Sequence, residues 1–187
     1  QWDVKARQGY PLLGVELHAV PVQVPPQHRR VAHYARQALN GRPADDRYPE
    51  LAAALLRLAG ERAFDVVELE GSGAGLYLDA LPAQRPRTVL VFYDVMWDWW
   101  RRQFLAAPRP VALARWLTYR AWEPRLVRMA DCCVFLSKRD AALVESVVRP
   151  RAGLLVPNGI EPAPPLPLPA EPEVLFVGSL AHLPNQQ

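Results

Sequence analysis

The amino-acid sequence predicts an α/β fold in which helices cover a doubly wound parallel sheet. Short apolar runs at 64–70, 88–93, 131–136 and 153–156 alternate with helical segments along the chain. The run at 88–93 is almost continuously apolar, which is typical of a parallel strand with helices on both faces. The connections between runs and helices are short, as they are in sheets of this kind.

The first sixty residues carry weaker signals. Residues 15–22 alternate apolar and polar side chains until Pro21 interrupts them, so we expect a strand near a sheet edge. His18 falls on the polar side of this strand, and a solvated edge histidine is a better interpretation than a catalytic one. A helix is predicted from Pro49, which suits a first helical position, to Gly60, which closes it.

The middle of the chain holds a glycine-rich turn and a long helix. The strand at 64–70 runs directly into that turn, which contains Gly71, Gly73 and Gly75. The long helix is expected over 111–130, with Pro124 kinking or splitting it near Glu123.

Polar residues mark the ends of the predicted strands. Ser137 and Asp140 form a capping box that opens a helix, in which the Ser137 hydroxyl accepts from the Asp140 amide and the carboxylate reaches back. Ligands of doubly wound sheets bind at the carboxyl ends of the strands. The polar residues at those ends are Glu70, Tyr93, Asp94, Ser137 and Asn158.

The last quarter of the chain predicts a boundary between two α/β domains. A strand that ends at Pro157-Asn-Gly159 is followed by a proline-rich segment, 162–172, and then by an apolar strand that opens onto Gly178. The proline-rich segment favours a polyproline II spacer over a ligand for an SH3-type module, because a strand stands on either side of it. We therefore expect a domain at 1–161, a linker at 162–172 and the beginning of a second domain at 173–187.

Composition narrows the class of protein. The net charge is +3 and no run of basic residues stands out, so nucleic-acid binding is not expected. Cys132 and Cys133 are adjacent in an apolar strand and point to opposite faces, which indicates reduced core residues of a cytosolic protein. No stretch has the length and apolarity of a membrane span, and the first residues lack the pattern of a secretory signal.

Four segments, taken in order, resemble the pattern of glycosyltransferase family 4. They are Glu123–Asp131, Leu136–Asp140, Val156–Glu161 and Val174–Asn185. Their order and spacing are similar to those of the N-terminal domain of this family and the opening of its C-terminal domain. The resemblance covers residues 64–187.

This resemblance implies a GT-B enzyme, in which two Rossmann-like domains face a cleft. Such an enzyme moves a sugar from a nucleotide-sugar donor to a glycan or lipid-linked acceptor, with retention and without a bound metal or cofactor. Gly178 matches the family's glycine beside the donor diphosphate, where the lack of a Cβ lets backbone amides approach phosphate. Ser179 and Pro184 stand where many relatives carry Arg and Lys. We assign Gly178, Ser179 and Asn158 to the donor side.

The acceptor side departs from the family pattern. Relatives often carry a histidine beside an aspartate after the strand that corresponds to 88–93. Here Tyr93 or Met96 replaces the histidine, whereas Asp94 is kept. Asp94 and Tyr93 are the candidate catalytic residues, although Asp94 as a cap of the next helix is an equally good interpretation. The acceptor-binding candidates are Glu70, Gly71 and Trp97.

The aromatic segment at 97–104 has three interpretations. Its rings could stack on sugars, or the Trp-Arg cluster could bind membrane headgroups, which would suit a lipid-linked acceptor and peripheral membrane association. We favour the third, in which some rings pack between helix and sheet while the arginines stay in solvent.

The sequence leads us to expect a fragment of a bacterial enzyme of this family. No apolar strand with a glycine-rich loop precedes Val15, and no donor-ribose motif follows, so the chain alone is expected to be inactive. The expected location is the cytoplasm or the inner face of the cell membrane. The alternative is a non-catalytic carbohydrate- or partner-binding module derived from a glycosyltransferase. A receiver-like domain is disfavoured, because no paired carboxylates follow a first strand.

Overall fold

The computed structural model describes residues 15–24, 26, 32, 34, 36–43, 47–82 and 84–159. The elements with defined bounds are α1 (Pro49–Glu61), β1 (Val66–Glu70), α2 (Gly71–Ala74), a 3-10 helix (Gly75–Ala80), β2 (Arg87–Phe92), α3 (Met96–Ala106), α4 (Pro110–Met129), β3 (Cys132–Phe135), α5 (Lys138–Glu145) and β4 (Gly153–Leu155).

The four described strands form one parallel sheet in the order β1-β2-β3-β4. In the register, Glu70 pairs with Val91, Phe92 with Phe135, and Phe135 with Leu155, so the carboxyl ends of all four strands lie at one edge. The predicted α/β fold with a parallel, Rossmann-like sheet is confirmed. The described strands lie side by side in the order in which they occur in the chain. A doubly wound sheet has a point at which this order reverses, and that point does not lie among the described strands.

The hydrophobic core is densest around β2. Leu90 and Phe92 are fully buried, and the ring of Phe92 stacks on Phe135 of the neighbouring strand with centroids 5.4 Å apart. At the opposite end of β2, the Asp131 carboxylate accepts hydrogen bonds from the backbone amide and the hydroxyl of Thr88, at 2.9 and 3.0 Å. The central strands are therefore held by apolar packing along their length and by a polar contact where they begin.

The four predicted strands from β1 onward and helix α1 are confirmed, with ends that lie within two residues of the predicted ones. Two other expectations are wrong, the second of them in part. Residues 15–24 form no strand and are largely exposed, because nothing in the described part of the chain pairs with them and Pro21 removes a backbone donor. The split at Pro124 does not occur: α4 continues from Pro110 to Met129, and Glu123, Pro124 and Leu126 are buried, whereas the alternative of a kink stays a prediction. The surrounding packing offsets the hydrogen bond that proline removes.

The Ser137–Asp140 capping box is confirmed, and of the two cysteines predicted to be core residues only Cys133 is fully buried. The Asp140 amide donates to the Ser137 hydroxyl at 3.1 Å, and that hydroxyl donates to the Asp140 carboxylate at 2.8 Å. Both cysteines are free, with Cys133 fully buried and Cys132 half-buried. The linker at 162–172 and the strand beginning at 173 lie outside the described residues and stay predictions.

Candidate functional site at the carboxyl edge

The turn after β1 depends on Gly71. Its φ of +78° lies in the left-handed region that disfavours side chains, and a Cβ at this position would lie 3.7 Å from the ring of Tyr93. The glycine thus brings the end of β1 close to the residues that follow β2. Three of the predicted site residues, Glu70, Gly71 and Tyr93, therefore lie together.

Glu70 and Tyr93 form a polar pair at this edge. A hydrogen bond from the Tyr93 hydroxyl to the Glu70 carboxylate, with desolvation and the negative charges of Glu70 and Glu68, raises the pKa of the phenol above its ordinary value of 10.0. The phenol of Tyr93 therefore stays protonated at neutral pH. Tyr93 is 54% exposed, so its ring and hydroxyl are open to a ligand.

Asp94 follows Tyr93 and is also exposed. It does not cap α3, whose N-cap residue is Val95 and has no side-chain capping bond. The capping acceptor comes instead from another helix: the Glu123 carboxylate accepts from the backbone amides of Met96 and Trp97, both at 3.0 Å. Of the two interpretations of Asp94, the helix cap is therefore wrong, and its carboxylate remains open at the edge of the sheet.

Glu123 joins the two turns of the site. Its residue surface is 1% exposed, and the hydroxyl of Ser72 donates a hydrogen bond to the same carboxylate oxygen that accepts from Met96. Ser72 lies in the short helix α2 directly after β1, and Met96 is the first residue of α3, after the turn that follows β2. A single buried carboxylate thus fixes both loops from which Glu70, Tyr93 and Asp94 project.

The buried position has a strong effect on the Glu123 carboxyl. Burial raises its pKa from 4.5 to about 7, and the charge of Asp94 acts in the same direction. The hydrogen bonds from Ser72 and from the amides of Trp97 and Met96 oppose the rise by stabilising the charged form. The group that holds the site loops is therefore close to its titration point at neutral pH.

Asp98 is the second buried carboxylate near this edge. Its side chain is 2% exposed and accepts from Arg139 at 2.6 Å and from Arg101 at 3.0 Å, while Arg102 lies 3.2 Å away. Burial raises the pKa of Asp98, but the hydrogen bonds from Arg139 and Arg101 outweigh it, so the pKa lies below its ordinary value. This cluster ties the first turn of α3 to the first turn of α5.

Sequence reasoning assigned no role to Glu123 or Asp98. The available signal for Glu123 was a carboxylate directly before a proline inside a long apolar helix, where an uncompensated charge is costly. The signal for Asp98 was a single acid surrounded by tryptophans and arginines.

The remaining predicted site residues are placed differently. The ring of Trp97 belongs to the hydrophobic core and is 6% exposed, with the guanidinium of Arg120 5.6 Å from the ring centroid. It presents no open face on which a sugar could stack, so the backbone amide is its contribution to this edge. Asn158 is exposed beyond the end of β4. Gly178 and Ser179 lie outside the described residues.

The described ranges contain neither a candidate metal site nor a candidate membrane-spanning helix. No group of three or more His, Cys, Asp or Glu side chains within them is placed to hold a metal ion. No helix within them combines the length and apolarity required to cross a bilayer.

The parallel sheet, with polar side chains gathered at its carboxyl edge, defines a ligand-binding α/β domain. A family model described as "Glycosyl transferase 4-like domain" matches residues 4–159, and the chain therefore belongs to this family of glycosyltransferases. The family resemblance found in the sequence is confirmed, and it indicates a sugar donor and an acceptor as the substrates. No curated protein and no solved structure gives a significant match to the chain.

Proposed function

We propose that this chain contributes the acceptor side of a retaining sugar transfer from a nucleotide-sugar to a glycan or lipid-linked acceptor. Family membership supports the reaction class. The observation that carries the assignment of the site is the exposed carboxylate of Asp94, which is left open because Glu123 caps the helix behind it. Asp94 lies at the edge of the sheet where α/β domains bind their ligands.

The proposed roles follow from hydrogen-bonding chemistry. A sugar hydroxyl is a donor and a carboxylate oxygen is an acceptor, so Asp94 orients an acceptor hydroxyl and takes its proton as the hydroxyl oxygen bonds to the anomeric carbon of the donor sugar. The bond from that carbon to the nucleotide diphosphate breaks on the same face, and the diphosphate leaves with the electron pair. Glu70 accepts from a second hydroxyl. Tyr93 keeps its proton at neutral pH, and once the sugar hydroxyl replaces it on Glu70 it can donate to a sugar oxygen. Tyr93 is one of the two positions, with Met96, at which relatives often carry a histidine.

The proposed donor side lies further along the chain. Asn158 follows β4 and extends the carboxyl edge that holds Asp94, and Gly178 and Ser179 would approach the diphosphate of the nucleotide-sugar. Use of a nucleotide-sugar fits a reaction in the cytoplasm, and a lipid-linked acceptor fits contact with the inner face of the membrane.

The test is transfer of labelled sugar from a panel of nucleotide-sugars to glycan and lipid-linked acceptors. Asp94→Asn should reduce transfer by about 100-fold, the lower part of the range for loss of a positioned acid or base. Asp65→Asn is the matched control, because Asp65 is an exposed carboxylate next to the opposite end of β1 and should leave the rate unchanged. Equal, measurable rates for the two variants would reject the assignment of Asp94; where the chain alone transfers no sugar, equal affinities of the two variants for the acceptor in calorimetry would reject it. The anomeric configuration of the product, measured by NMR, tests retention.

A non-catalytic carbohydrate-binding module is the second candidate, and the observation that favours it is the loss of the family's histidine, which either Tyr93 or Met96 replaces. Such a module would bind the acceptor glycan saturably in calorimetry, and Asp94→Asn would weaken that binding, without turnover of any donor. Because the chain alone is also expected to be inactive as a fragment of an enzyme, binding without transfer fits both candidates, and start and stop codons close to this stretch of the gene are the observation that would favour the module.

A further inference from the structure

Helices α3 and α4 form a hairpin that projects from the carboxyl edge of the sheet. They run antiparallel, since Trp97 contacts Arg120 and Phe104 contacts Trp116, with ring centroids of the second pair 5.9 Å apart. Glu123 marks the base of the hairpin by its bonds to the start of α3. From Glu123 back to the first residue of α4, a rise of 1.5 Å per residue gives a length of about 20 Å.

The tip of this hairpin, residues 105–111, is exposed at every position. Leu105 and Val111 are 63% and 56% exposed, and Leu117 on the adjoining turn of α4 is 54% exposed. Large apolar side chains at the end of a projection do not contribute to the core. Leu105 and Val111 are thus exposed apolar side chains at the end of the hairpin opposite Glu123.

The exposed charges of the hairpin are all positive. Between residues 96 and 130 there are seven arginines and two acids, a formal charge of +5 against +3 for the whole chain. Both acids, Asp98 and Glu123, are 1% exposed and are engaged in the contacts described above. The seven arginines are Arg101, Arg102, Arg109, Arg115, Arg120, Arg125 and Arg128.

We propose that the hairpin tip docks on an anionic lipid bilayer, with Leu105 and Val111 entering the headgroup region and nearby arginines contacting lipid phosphates. Exposed apolar residues flanked by arginines match an interface that is apolar below and negatively charged at its surface. An acidic protein would match the charge, but the narrow projecting tip offers it little surface to bury.

What membrane docking would mean for sugar transfer depends on the proposed function. A docked tip holds the carboxyl edge, with Tyr93 and Asp94, about 20 Å from the bilayer surface by the rise of the helix. Of the two acceptor classes, the lipid-linked one is then selected, because its reactive sugar would extend from the membrane toward that edge.

The test uses the whole chain and vesicles of phosphatidylcholine, with and without phosphatidylglycerol, in a co-sedimentation assay. Binding should require the anionic lipid and weaken with salt. Arg109→Gln should reduce partitioning about fivefold, the effect of one arginine at an anionic surface. Arg128→Gln removes the same charge near the far end of α4 and is the matched control, with a much smaller effect expected. Leu105→Ser combined with Val111→Ser should abolish binding while leaving the thermal unfolding curve in place.

Three outcomes would overturn the inference: no binding to anionic vesicles at low salt, equal loss for Arg109→Gln and Arg128→Gln, or full binding by the doubly substituted tip. Binding to soluble polyglutamate that equals binding to vesicles would assign the tip to an acidic protein instead. Vesicle binding is measured without donor or acceptor, so a failure of sugar transfer with intact vesicle binding counts against the proposed function alone.

Discussion

Ser72 donates a hydrogen bond to the buried carboxylate of Glu123, fifty-one residues further along the chain. The same carboxylate caps the helix that begins after Asp94. The segments that follow β1 and β2 thus share one hydrogen-bond acceptor, so a substitution of Glu123 should alter the structure of both segments.

Glu123 should give the stability of the domain a distinct pH dependence. Its folded pKa of about 7 lies above the ordinary value of 4.5, so the folded protein binds a proton more tightly than the unfolded chain. The free energy of unfolding from this group is then highest below pH 4.5 and falls as the pH rises to 7, by about 3 kcal/mol in total. Glu123→Gln should remove this dependence in urea unfolding measured across that range. Glu145→Gln, at an exposed carboxylate, should retain the parent's dependence, and a pH slope unchanged in Glu123→Gln would contradict the account.

Ser72→Ala should destabilise the domain more at high pH than at low pH. The hydroxyl stabilises the charged form of Glu123, so its loss leaves a buried carboxylate oxygen with one donor fewer and raises the pKa of Glu123 further. The expected loss above pH 7 is about 1–3 kcal/mol. Unfolding of Ser72→Ala and of the double variant with Glu123→Gln forms a double-mutant cycle. If the free-energy losses of the two single variants simply add in the double variant, the contact between Ser72 and Glu123 contributes no stability.

Gly71→Ala should destabilise by roughly 1–2 kcal/mol, because its φ of +78° is unfavourable for a residue with a Cβ. Gly60→Ala is the matched substitution: Gly60 lies inside α1 and has no atom within 4 Å of an added Cβ. It should stabilise by about 0.5–1 kcal/mol through helix propensity. Thermal unfolding of both variants measures the difference, and the same sign for the two would show that the turn does not need glycine.

Glu70→Gln should lower the pKa of the Tyr93 phenol toward its ordinary value of 10.0. Glu70 is the strongest cause of the upward shift through its hydrogen bond, whereas Glu68 contributes only through its charge. Glu68→Gln should therefore lower the pKa by less. Near-ultraviolet titration of each variant, with Tyr93→Phe subtracted, follows this single phenol. A larger fall in Glu68→Gln than in Glu70→Gln would place the Tyr93 hydroxyl elsewhere.

The two adjacent cysteines should differ in reactivity. Burial, and secondarily the charge of Cys132, raises the pKa of the Cys133 thiol to about 12, so little thiolate forms there at neutral pH. A thiol reagent should modify one site in the native protein, and Cys132→Ser should remove that reaction. Both cysteines should react in denaturant. Native labelling that survives Cys132→Ser would mean that β3 opens or that its two faces are reversed.

Local pattern was sufficient to predict the sheet and part of the site. The apolar run of β2 has one reasonable interpretation, and Glu70, Tyr93 and Asp94 could be placed together because parallel strands end at the same edge. The role of Glu123 required knowledge of which side of α4 faces α3, since its partners lie 51, 27 and 26 residues away in the chain. The long-range packing that continues α4 through Pro124 was equally invisible to local rules.

The aromatic segment shows the same limit at a single residue. Periodicity indicates a helix over 97–104, but does not say which rings face the core. Trp97 turns inward onto that core, and its bond to Glu123 comes from the backbone and not from the indole. The strand predicted at residues 15–22 does not form, for a different reason. Their alternation of apolar and polar residues suits a strand, but a strand forms only where a partner strand is available.

The strands lie side by side in the order of the chain, and this has a consequence for synthesis. A polypeptide made from its N-terminus presents each described strand after β1 to a neighbour that has already emerged from the ribosome. Each new strand pairing closes a loop that contains one crossover connection, so the conformational entropy lost at each step stays modest. None of these pairings requires a strand that is made much later in the chain. The topology therefore allows the described part of the sheet to be assembled strand by strand during translation.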